Sequence, residues 1–336
     1  MKHLIKQYDE PIYGSSSFDF YFGGLRIGVL DIETTGLNPS VNKFILGGLF
    51  DLQTKTMHQF FAEERGEEKE ALEAFYRELS NLDMVITYNG RHFDMPFIAK
   101  RMKAYNINGA LPYNLDLYLI VNGHSPIKKL VPNLKQKTIE NYMGLWHSRT
   151  DEISGAESVT LYNRYEKTKD RELESRILLH NGDDVLQLAR LMRVLGKCDF
   201  HKAMYHLGFP AGCPNGQRLL IEKINTEKNS LIIAGAQVGS GINYIGFAWG
   251  DYPAESRFDK NTGTFTIKLP VIRDSGLCIA DLDAAGLDRR PFEKYPSYSS
   301  GFLVIENHNE RNFQETNHFA KTFLENFTDS IRISST

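Results

Sequence analysis

The segment LRIGVLDIETTGLNP, residues 25–39, constrains the fold more than any other stretch of this sequence. Successive side chains of a β-strand point to opposite faces, so the alternate residues from Leu25 to Glu33 are expected to share one face. This face is apolar except at its end, which carries Asp31 and Glu33. Burying two neighbouring anions is unfavourable unless a cation neutralises them, which favours a divalent metal here. The alternative is that the strand ends in solvent, with both carboxylates hydrated and TTGLNP forming a turn.

A third carboxylate follows the next apolar strand, in the segment MVITYNGRHFDMP. Pro96 fits the first turn of a helix, which places Asp94 near the helix N-terminus. Asp94 then either caps this helix or points to the edge where the first strand also ends. The two roles are compatible, because a helix that begins at the end of a strand directs its first side chains to that edge.

The segment SRILLHNGDDVLQLARLMRVL, residues 175–195, has the spacing of an amphipathic helix. Its apolar stripe contains His180 and Asp184, one turn apart, whereas Asp183 falls off the stripe and is expected to face solvent. An imidazole and a carboxylate on a core-facing stripe favour a metal with its attacking water. The alternative is that His180-Asn181-Gly182 interrupts the helix and an aspartate caps a new one.

In order and context, the motifs DIETTG, YNGRHFD and HNGDD resemble those of the DEDD family of ribonuclease H-like 3′–5′ exonucleases. The resemblance covers residues 22–196 and is to the predicted bacterial group related to polymerase proofreading domains. It implies that Asp31, Glu33, Asp94 and Asp184 hold two divalent cations. It also implies two-metal hydrolysis of phosphodiesters at single-stranded 3′ ends of DNA or RNA. Oxygen ligands with no cysteine nearby suit Mg²⁺ or Mn²⁺ rather than zinc.

The third motif departs from the family pattern. Proofreading-type members carry a tyrosine four residues before the last aspartate or a histidine five before it. Here a histidine, His180, stands four residues before Asp184. Four residues are about one helical turn, so the imidazole can reach a water beside Asp184, and we expect His180 to be the general base.

Three further residues are candidates for contact with the nucleic acid. Asn89 and Phe93 are placed to hold the terminal nucleotide, although Phe93 has core packing as its alternative. Lys135 is placed to meet a backbone phosphate, with a solvated lysine as its alternative.

The element pattern predicts an α/β fold, a ribonuclease H-like mixed five-stranded sheet flanked by helices, with a smaller β-rich C-terminal domain. Three strands in succession suggest a meander, followed by a helix at 67–80, a strand at 84–88, a helix from about Asp94 to Tyr105 and a strand at 115–120. Helical spacing dominates from 134 to 196.

Three regions are expected along the chain. Residues 1–20 form an N-terminal arm, residues 21–197 the ribonuclease H-like exonuclease domain, and residues 198–336 a β-rich accessory domain of unknown role. Gly and Pro become more frequent after Gly196, where short β-like runs alternate with turn signals. A final helix is expected at 310–327.

The net charge of −3 argues against an extended basic surface of the kind that nucleic-acid-binding proteins often present. Basic residues are nevertheless concentrated at 128–137, which holds four lysines and no acid, and around 91–103. The three cysteines form no CxxC pair and no stretch is apolar enough to span a bilayer, so we expect a cytoplasmic protein without a membrane partner.

Two other functions remain open from the sequence. The first is a catalytically idle module that keeps the fold and binds nucleic acid or protein. The second is a structure-selective endonuclease or transposase-like enzyme with the same metal pair. Retention of all four carboxylates favours an active exonuclease, because a relative that only binds loses them at little cost. Protein partners cannot be read from the sequence.

Overall fold

The computed structural model describes residues 1–145, 147, 149–150, 153–211, 218–239 and 241–333. The chain divides into an N-terminal unit, residues 1–199, and a C-terminal unit, residues 200–336. The N-terminal unit contains a six-stranded mixed sheet. Its strands are β1 (Lys2–Gln7), β2 (Ile27–Thr34), β3 (Phe44–Asp51), β4 (Thr56–Phe61), β5 (Met84–Thr87) and β6 (Tyr113–Asp116), in the spatial order β1-β4-β3-β2-β5-β6.

Helices flank this sheet on both faces. They are α1 (Ser16–Phe22), α2 (Glu68–Leu79), α3 (Asp94–Ala104), α4 (Leu117–His124), α5 (Gln136–Tyr142), α6 (Gly155–Thr168) and α7 (Arg171–Leu191), with 3₁₀ turns at Arg65–Glu67, Pro126–Lys129 and Met192–Lys197. Leu72 and Phe75 of α2 and Phe97 of α3 pack in one core cluster with Phe44 and Phe60. A second cluster joins residues of α6 and α7 to the sheet through Ile45 and Phe61. The predicted fold class, a mixed sheet between helices, is confirmed.

The sheet has six strands where five were predicted. The additional strand, β1, lies in the segment expected to be an arm and pairs antiparallel with β4, Lys2 opposite Phe61. Five of its six residues are exposed, so its sequence carries no buried row that period-two alternation reveals. The same segment also contains α1, whose first turn is capped by the Ser15 hydroxyl. The predicted limits of the exonuclease domain, 21–197, stay a prediction.

The predicted strand at 115–120 is wrong over most of its length. β6 ends at Asp116, and α4 begins at the next residue. The Asp116 carboxylate accepts hydrogen bonds from the backbone N–H groups of Tyr118 and Leu119, which caps the helix. The apolar run that follows Asp116 is therefore the buried side of a helix rather than a strand.

The parallel pairing of β2 with β5 brings the motifs to one edge of the sheet. Ile27 pairs with Met84, and the meander β2-β3-β4 is antiparallel as predicted. Because β2 and β5 run in the same direction, their carboxyl ends lie at the same edge. Asp31 and Glu33 close the first strand there, and Asp94 opens the helix that follows the second.

Close approach of α7 to the sheet requires a glycine at position 48, which pairs with Asp31 across β2 and β3. A Cβ atom at Gly48 would lie 2.3 Å from Asn181 Oδ1 and 2.9 Å from Val185 Cγ2. We expect Gly48→Ala to lower the free energy of unfolding by about 1–3 kcal/mol, because the helix must move outward. Urea unfolding measures this change.

Gly182→Ala is the matched control, because a Cβ there comes no closer than 3.6 Å to Gln59. Position 182 is inside α7, where alanine is favoured over glycine by about 0.5–1 kcal/mol. Equal effects of the two substitutions would contradict the steric explanation.

The C-terminal unit is rich in β-structure, as predicted. It starts with α8 (Phe200–Leu207) and has a sheet of β7 (Phe209–Ala211), β8 (Arg218–Glu227), β9 (Ser230–Val238), β10 (Tyr244–Gly246), β11 (Glu255–Asp259) and β12 (Thr264–Pro270). A second sheet holds β13 (Ile272–Asp274), β14 (Leu277–Asp281), β15 (Tyr298–Ser299), β16 (Phe302–Asn307) and β17 (Glu310–Arg311), and α9 (Phe313–Ile333) follows. Among the described helices, none combines the length and the apolar character needed to cross a bilayer.

Candidate active site

The four acidic residues singled out in the sequence converge at one edge of the mixed sheet. Asp31 and Glu33 lie in β2, Asp94 is the first residue of α3, and Asp184 lies in α7, which packs against β2 and β3. Burial raises the pKa of Asp31 well above its usual value, and the negative charges of Asp184, Asp94 and Glu33 raise it further. The three segments therefore bring their carboxylates close enough to repel one another.

The pKa values of two other members of the cluster are raised as well. Burial raises the pKa of Glu33 to about 7; the charge of His180 opposes this rise and that of Asp184 adds to it. Burial also raises the pKa of Asp94 to about 7, against hydrogen bonds from backbone N–H groups that favour the ionised form. One of these donors is Ile32, whose N–H lies 3.2 Å from Asp94 Oδ1. The cluster thus holds more negative charge than its own surroundings neutralise.

His180 lies between two of the carboxylates. Its Nε2 atom is 3.5 Å from Glu33 Oε1 and 3.6 Å from Asp184 Oδ2, and the residue is only 2% exposed. Helix α7 runs unbroken through this region, so no new helix starts at Asp183 or Asp184. One turn of helix therefore presents the imidazole and the last carboxylate together, as their spacing predicts.

An amide pair that the sequence analysis missed holds Asp31. Asn181, fully buried, donates from Nδ2 to Asp31 Oδ2 at 3.0 Å and to the Asp31 backbone carbonyl at 3.2 Å. Gln59 of β4 in turn donates to Asn181 Oδ1 at 3.0 Å. The side-chain orientation of Asp31 is thus fixed through two elements. An asparagine beside the apolar stripe of a helix was the available signal, but Asn181 is 150 residues away from its partner.

A buried ion-pair cluster around Arg149 was not predicted from the sequence. Arg149 donates from Nε and Nη2 to both carboxylate oxygens of Glu140, at 2.9 and 2.8 Å, and its Nη1 lies 2.5 Å from Asp184 Oδ1. Burial by itself lowers the pKa of Arg149, but hydrogen bonds to Glu140 and the charge of Asp184 raise it above its usual value. A permanent cation therefore contacts the carboxylate of Asp184.

Asp183, expected to face solvent, is buried. Its Oδ2 atom accepts hydrogen bonds from the backbone N–H of Thr150 at 2.6 Å and from the Thr150 hydroxyl at 2.7 Å. The expectation failed because helical spacing alone cannot reveal that Thr150 bonds to this side of α7.

Two of the three substrate candidates line one cavity. Asn89 and Lys135 border a cavity of about 550 Å³ whose other lining residues are Tyr88, Tyr118, Leu134 and Gln136. The left-handed backbone of Asn89 (φ 65°) is held by its N–H, which donates to Asp116 Oδ1 at 2.8 Å. Phe93 packs against Phe97 with ring centroids 5.7 Å apart. The structure thus brings Asn89 and Lys135 together, while Phe93 contributes to packing.

The two basic stretches differ in what they expose. Lys135 is exposed, whereas Lys137 donates to the Ile153 carbonyl at 2.6 Å. In the second stretch, Arg101 is buried and bonded to both oxygens of Glu68, and Arg91 donates to the Asn114 carbonyl. The two arginines of the second stretch therefore stabilise the fold instead of forming a surface for phosphate.

The chemistry of the cluster fits a hard divalent cation. Across the described part of the chain, no three Asp, Glu, His or Cys side chains already surround a common point as a formed metal centre. Asp31 is turned to Asn181, Asp94 to Ile32 and Asp184 to Arg149. All four acidic residues nevertheless offer oxygen donors, and a cation among them would remove the repulsion that, after burial, raises the pKa values of Asp31 and Glu33.

The raised pKa values predict a pH dependence of the metal-free protein. Glu33 and Asp94 have pKa values of about 7 when folded and ordinary values near 4 when unfolded, so the folded state binds protons more tightly. Stability is then lost as pH rises from about 4 to about 7. We expect thermal unfolding in EDTA to show a larger drop between pH 5.5 and 8 for the wild type than for Asp94→Asn. His318 has a lowered pKa, so its contribution to stability increases as pH rises, but this residue is present in both proteins and does not affect the comparison. Equal drops would contradict this assignment.

A mixed sheet between helices, with clustered carboxylates at one edge, is the arrangement expected of an RNase H-like nuclease. The chain belongs to the RNase H superfamily, because the sequence model of that superfamily matches residues 29–196, half of the chain. The nucleases of this superfamily generally use divalent metal ions and bind nucleic acid. Membership therefore supports a nuclease, a hydrolase of phosphodiester bonds.

No curated protein sequence matched the chain, whereas 124 chains of solved structures did. One of these is the family B DNA polymerase from the hyperthermophilic archaeon Pyrobaculum calidifontis, with 15% sequence identity and a TM-score of 0.40. The alignment covers 89% of this chain and 46% of the polymerase, so the chain spans less than half the length of that protein.

Proposed function

We propose that the protein is a metal-dependent 3′–5′ exonuclease that hydrolyses single-stranded DNA or RNA ends, in the DEDD branch of the superfamily. The observation that carries the proposal is the convergence of four carboxylates from three separate segments beside a buried histidine. Such a concentration of negative charge destabilises the fold unless it serves a cation. The 3′ polarity rests on the resemblance of the three motifs to this branch.

Asp31, Glu33, Asp94 and Asp184 are the residues that would hold the cations. When bound, two divalent ions lower the pKa of the attacking water and neutralise charge on the phosphate. Asn181 and Gln59 fix the carboxylate of Asp31 in one orientation, which keeps the site organised before substrate arrives.

His180 is the residue that moves a proton. Its Nε2 atom accepts the proton of the attacking water, and the carboxylates of Glu33 and Asp184, both within 3.6 Å, stabilise the imidazolium that forms. Burial of the ring excludes bulk water from this side of the site.

The cavity beside Asn89 is the proposed position of the terminal nucleotide. Tyr88 and Tyr118 offer aromatic surface there, with ring centroids 5.9 Å apart, and the exposed Lys135 lies at its border. Aromatic surface stacks against bases without regard to sequence, and a lysine attracts the phosphate backbone. This combination suits an enzyme that removes nucleotides one after another.

The test uses oligonucleotides of DNA and RNA labelled at the 5′ end, with Mn²⁺ or with EDTA. We expect labelled products that shorten stepwise from the 3′ end only with metal, arrest at a terminal phosphorothioate linkage, and no cleavage of a circular single strand. Binding without any hydrolysis would instead identify a catalytically idle module, and cleavage of the circle an endonuclease. Release of the labelled 5′ nucleotide first would overturn the assigned polarity.

A further inference from the structure

Arg149 is the least expected member of the carboxylate cluster. Its side chain is 1% exposed and contacts Glu140 of α5 through one edge of the guanidinium and Asp184 of α7 through Nη1. Glu140 is itself fully buried, and Gln136 donates to it at 2.9 Å. Arg149 is therefore held inside the protein by a carboxylate outside the proposed metal ligands.

The contact with Asp184 occupies an atom that a metal ion needs. Asp184 Oδ1 lies 2.5 Å from Arg149 Nη1, so a cation that binds this oxygen meets the repulsion of the guanidinium charge. The guanidinium is protonated at every relevant pH, so it stays a competing positive charge. Arg149 and a divalent ion are thus alternative partners of the same oxygen.

The contacts of Arg149 with Glu140 and with Asp184 are separable. The bidentate pair with Glu140 uses Nε and Nη2, and the contact with Asp184 uses only Nη1. Arg149 can give up Asp184 and remain paired with Glu140, so it does not become an uncompensated buried charge. Asp184, in contrast, needs another cation when Arg149 leaves, because Asp31 and Glu33 repel it.

We propose that Arg149 is a positioning residue of the metal site: it holds Asp184 in the metal-free protein and releases it to a divalent cation when the metal binds. Metal loading is then an exchange of one cation for another, and Arg149 sets the metal concentration at which the enzyme is active. This inference rests on the proposed function, because it requires that the four acidic residues bind metal.

The test is calorimetric titration of Mn²⁺ into the full chain without nucleic acid. We expect Arg149→Gln to bind Mn²⁺ about tenfold more tightly than the wild type, within the range usual for coupling between two ligands. Arg149→Lys keeps a positive charge but lacks the planar guanidinium that pairs with two oxygens at once. Its Mn²⁺ affinity is expected to lie between those of the wild type and Arg149→Gln. If Arg149→Gln alone fails to fold, the double variant Glu140→Gln/Arg149→Gln replaces it, because it removes both charges of the buried pair. The double variant is expected to show the same increase in Mn²⁺ affinity.

Arg101→Gln is the matched control, because Arg101 is also bonded to both oxygens of a buried glutamate, Glu68, which is not among the proposed ligands. We expect its Mn²⁺ affinity to equal that of the wild type. Asp31→Asn tests whether the measured Mn²⁺ binds at the carboxylate cluster. It is expected to reduce the heat of Mn²⁺ binding both in the wild type and in Arg149→Gln.

The outcomes separate this inference from the proposed function. If Arg149→Gln and the double variant bind Mn²⁺ with an affinity equal to or weaker than that of the wild type, the role proposed for Arg149 is wrong. The metal site itself would then still stand. Binding by Arg149→Gln alone, with none by the wild type, would support the exchange. Absence of Mn²⁺ binding in every variant would refute the metal site, and the inference with it.

Discussion

Replacing Asp31 by asparagine is expected to abolish nuclease activity and to stabilise the metal-free protein. Metal ions supply several kcal/mol of transition-state stabilisation and each 1.4 kcal/mol is tenfold in rate, so we expect a loss of at least about a thousandfold. The substitution also removes a buried charge that Asp184, Asp94 and Glu33 repel. Asparagine keeps an oxygen that accepts the hydrogen bond from Asn181. Each kcal/mol of repulsion removed raises the unfolding temperature by about 2–4 °C in EDTA.

Gel assays with labelled strands and thermal unfolding in EDTA measure the two effects. The matched control is Asp283→Asn in the C-terminal unit, where CIADLDAAGL repeats part of the motif around Asp31. Asp283 is half-exposed and paired with Arg289, so we expect both activity and stability to stay close to wild type. An Asp31→Asn protein that is active, or that unfolds at a lower temperature in EDTA, would contradict the charged-cluster account.

Replacing His180 by alanine is expected to lower kcat by about 10²–10⁴-fold, the usual contribution of a positioned general base. The KM for the single strand is expected to change little, because the ring lies between Glu33 and Asp184 and away from the cavity beside Asn89. Steady-state kinetics with Mn²⁺ separate the two parameters. In the family that the three motifs resemble, some members have a tyrosine four residues before the last aspartate. His180→Tyr is therefore expected to retain more activity than His180→Ala.

His58→Ala is a control on a residue of the same type that stacks with His3, apart from the carboxylates. We expect it to leave kcat unchanged. Since His180 is buried, circular dichroism must confirm that the alanine variant is folded. A folded His180→Ala enzyme within about threefold of wild-type kcat would show that another group accepts the proton.

Local patterns predicted the elements on which the motifs lie. Alternation along β2 placed Asp31 and Glu33 on one face, and a four-residue spacing placed His180 and Asp184 on one turn of α7. Both inferences need only the geometry of a single element. The same reasoning failed for β1, an edge strand without a buried row, and for Asp183, which Thr150 covers.

The supporting residues of the site could not be predicted from local patterns. Asn181 meets Asp31 across 150 positions, and Gln59 meets Asn181 across 122. Arg149 contacts Glu140 and Asp184, which belong to two different helices, α5 and α7. Such contacts depend on how strands and helices pack against one another. The spacing of apolar residues along one strand or one helix carries no information on that packing.

By itself, the sequence determined which acidic side chains share a strand face or a helix turn, because backbone geometry fixes that within a few residues. Only the tertiary structure decided that these faces meet at one edge of the sheet, that Asn181 orients Asp31, and that Arg149 is paired with Asp184. The physical reason is that the repulsion and neutralisation of buried charges are properties of distance in space, and packing of α7 on β2 and β3 sets those distances.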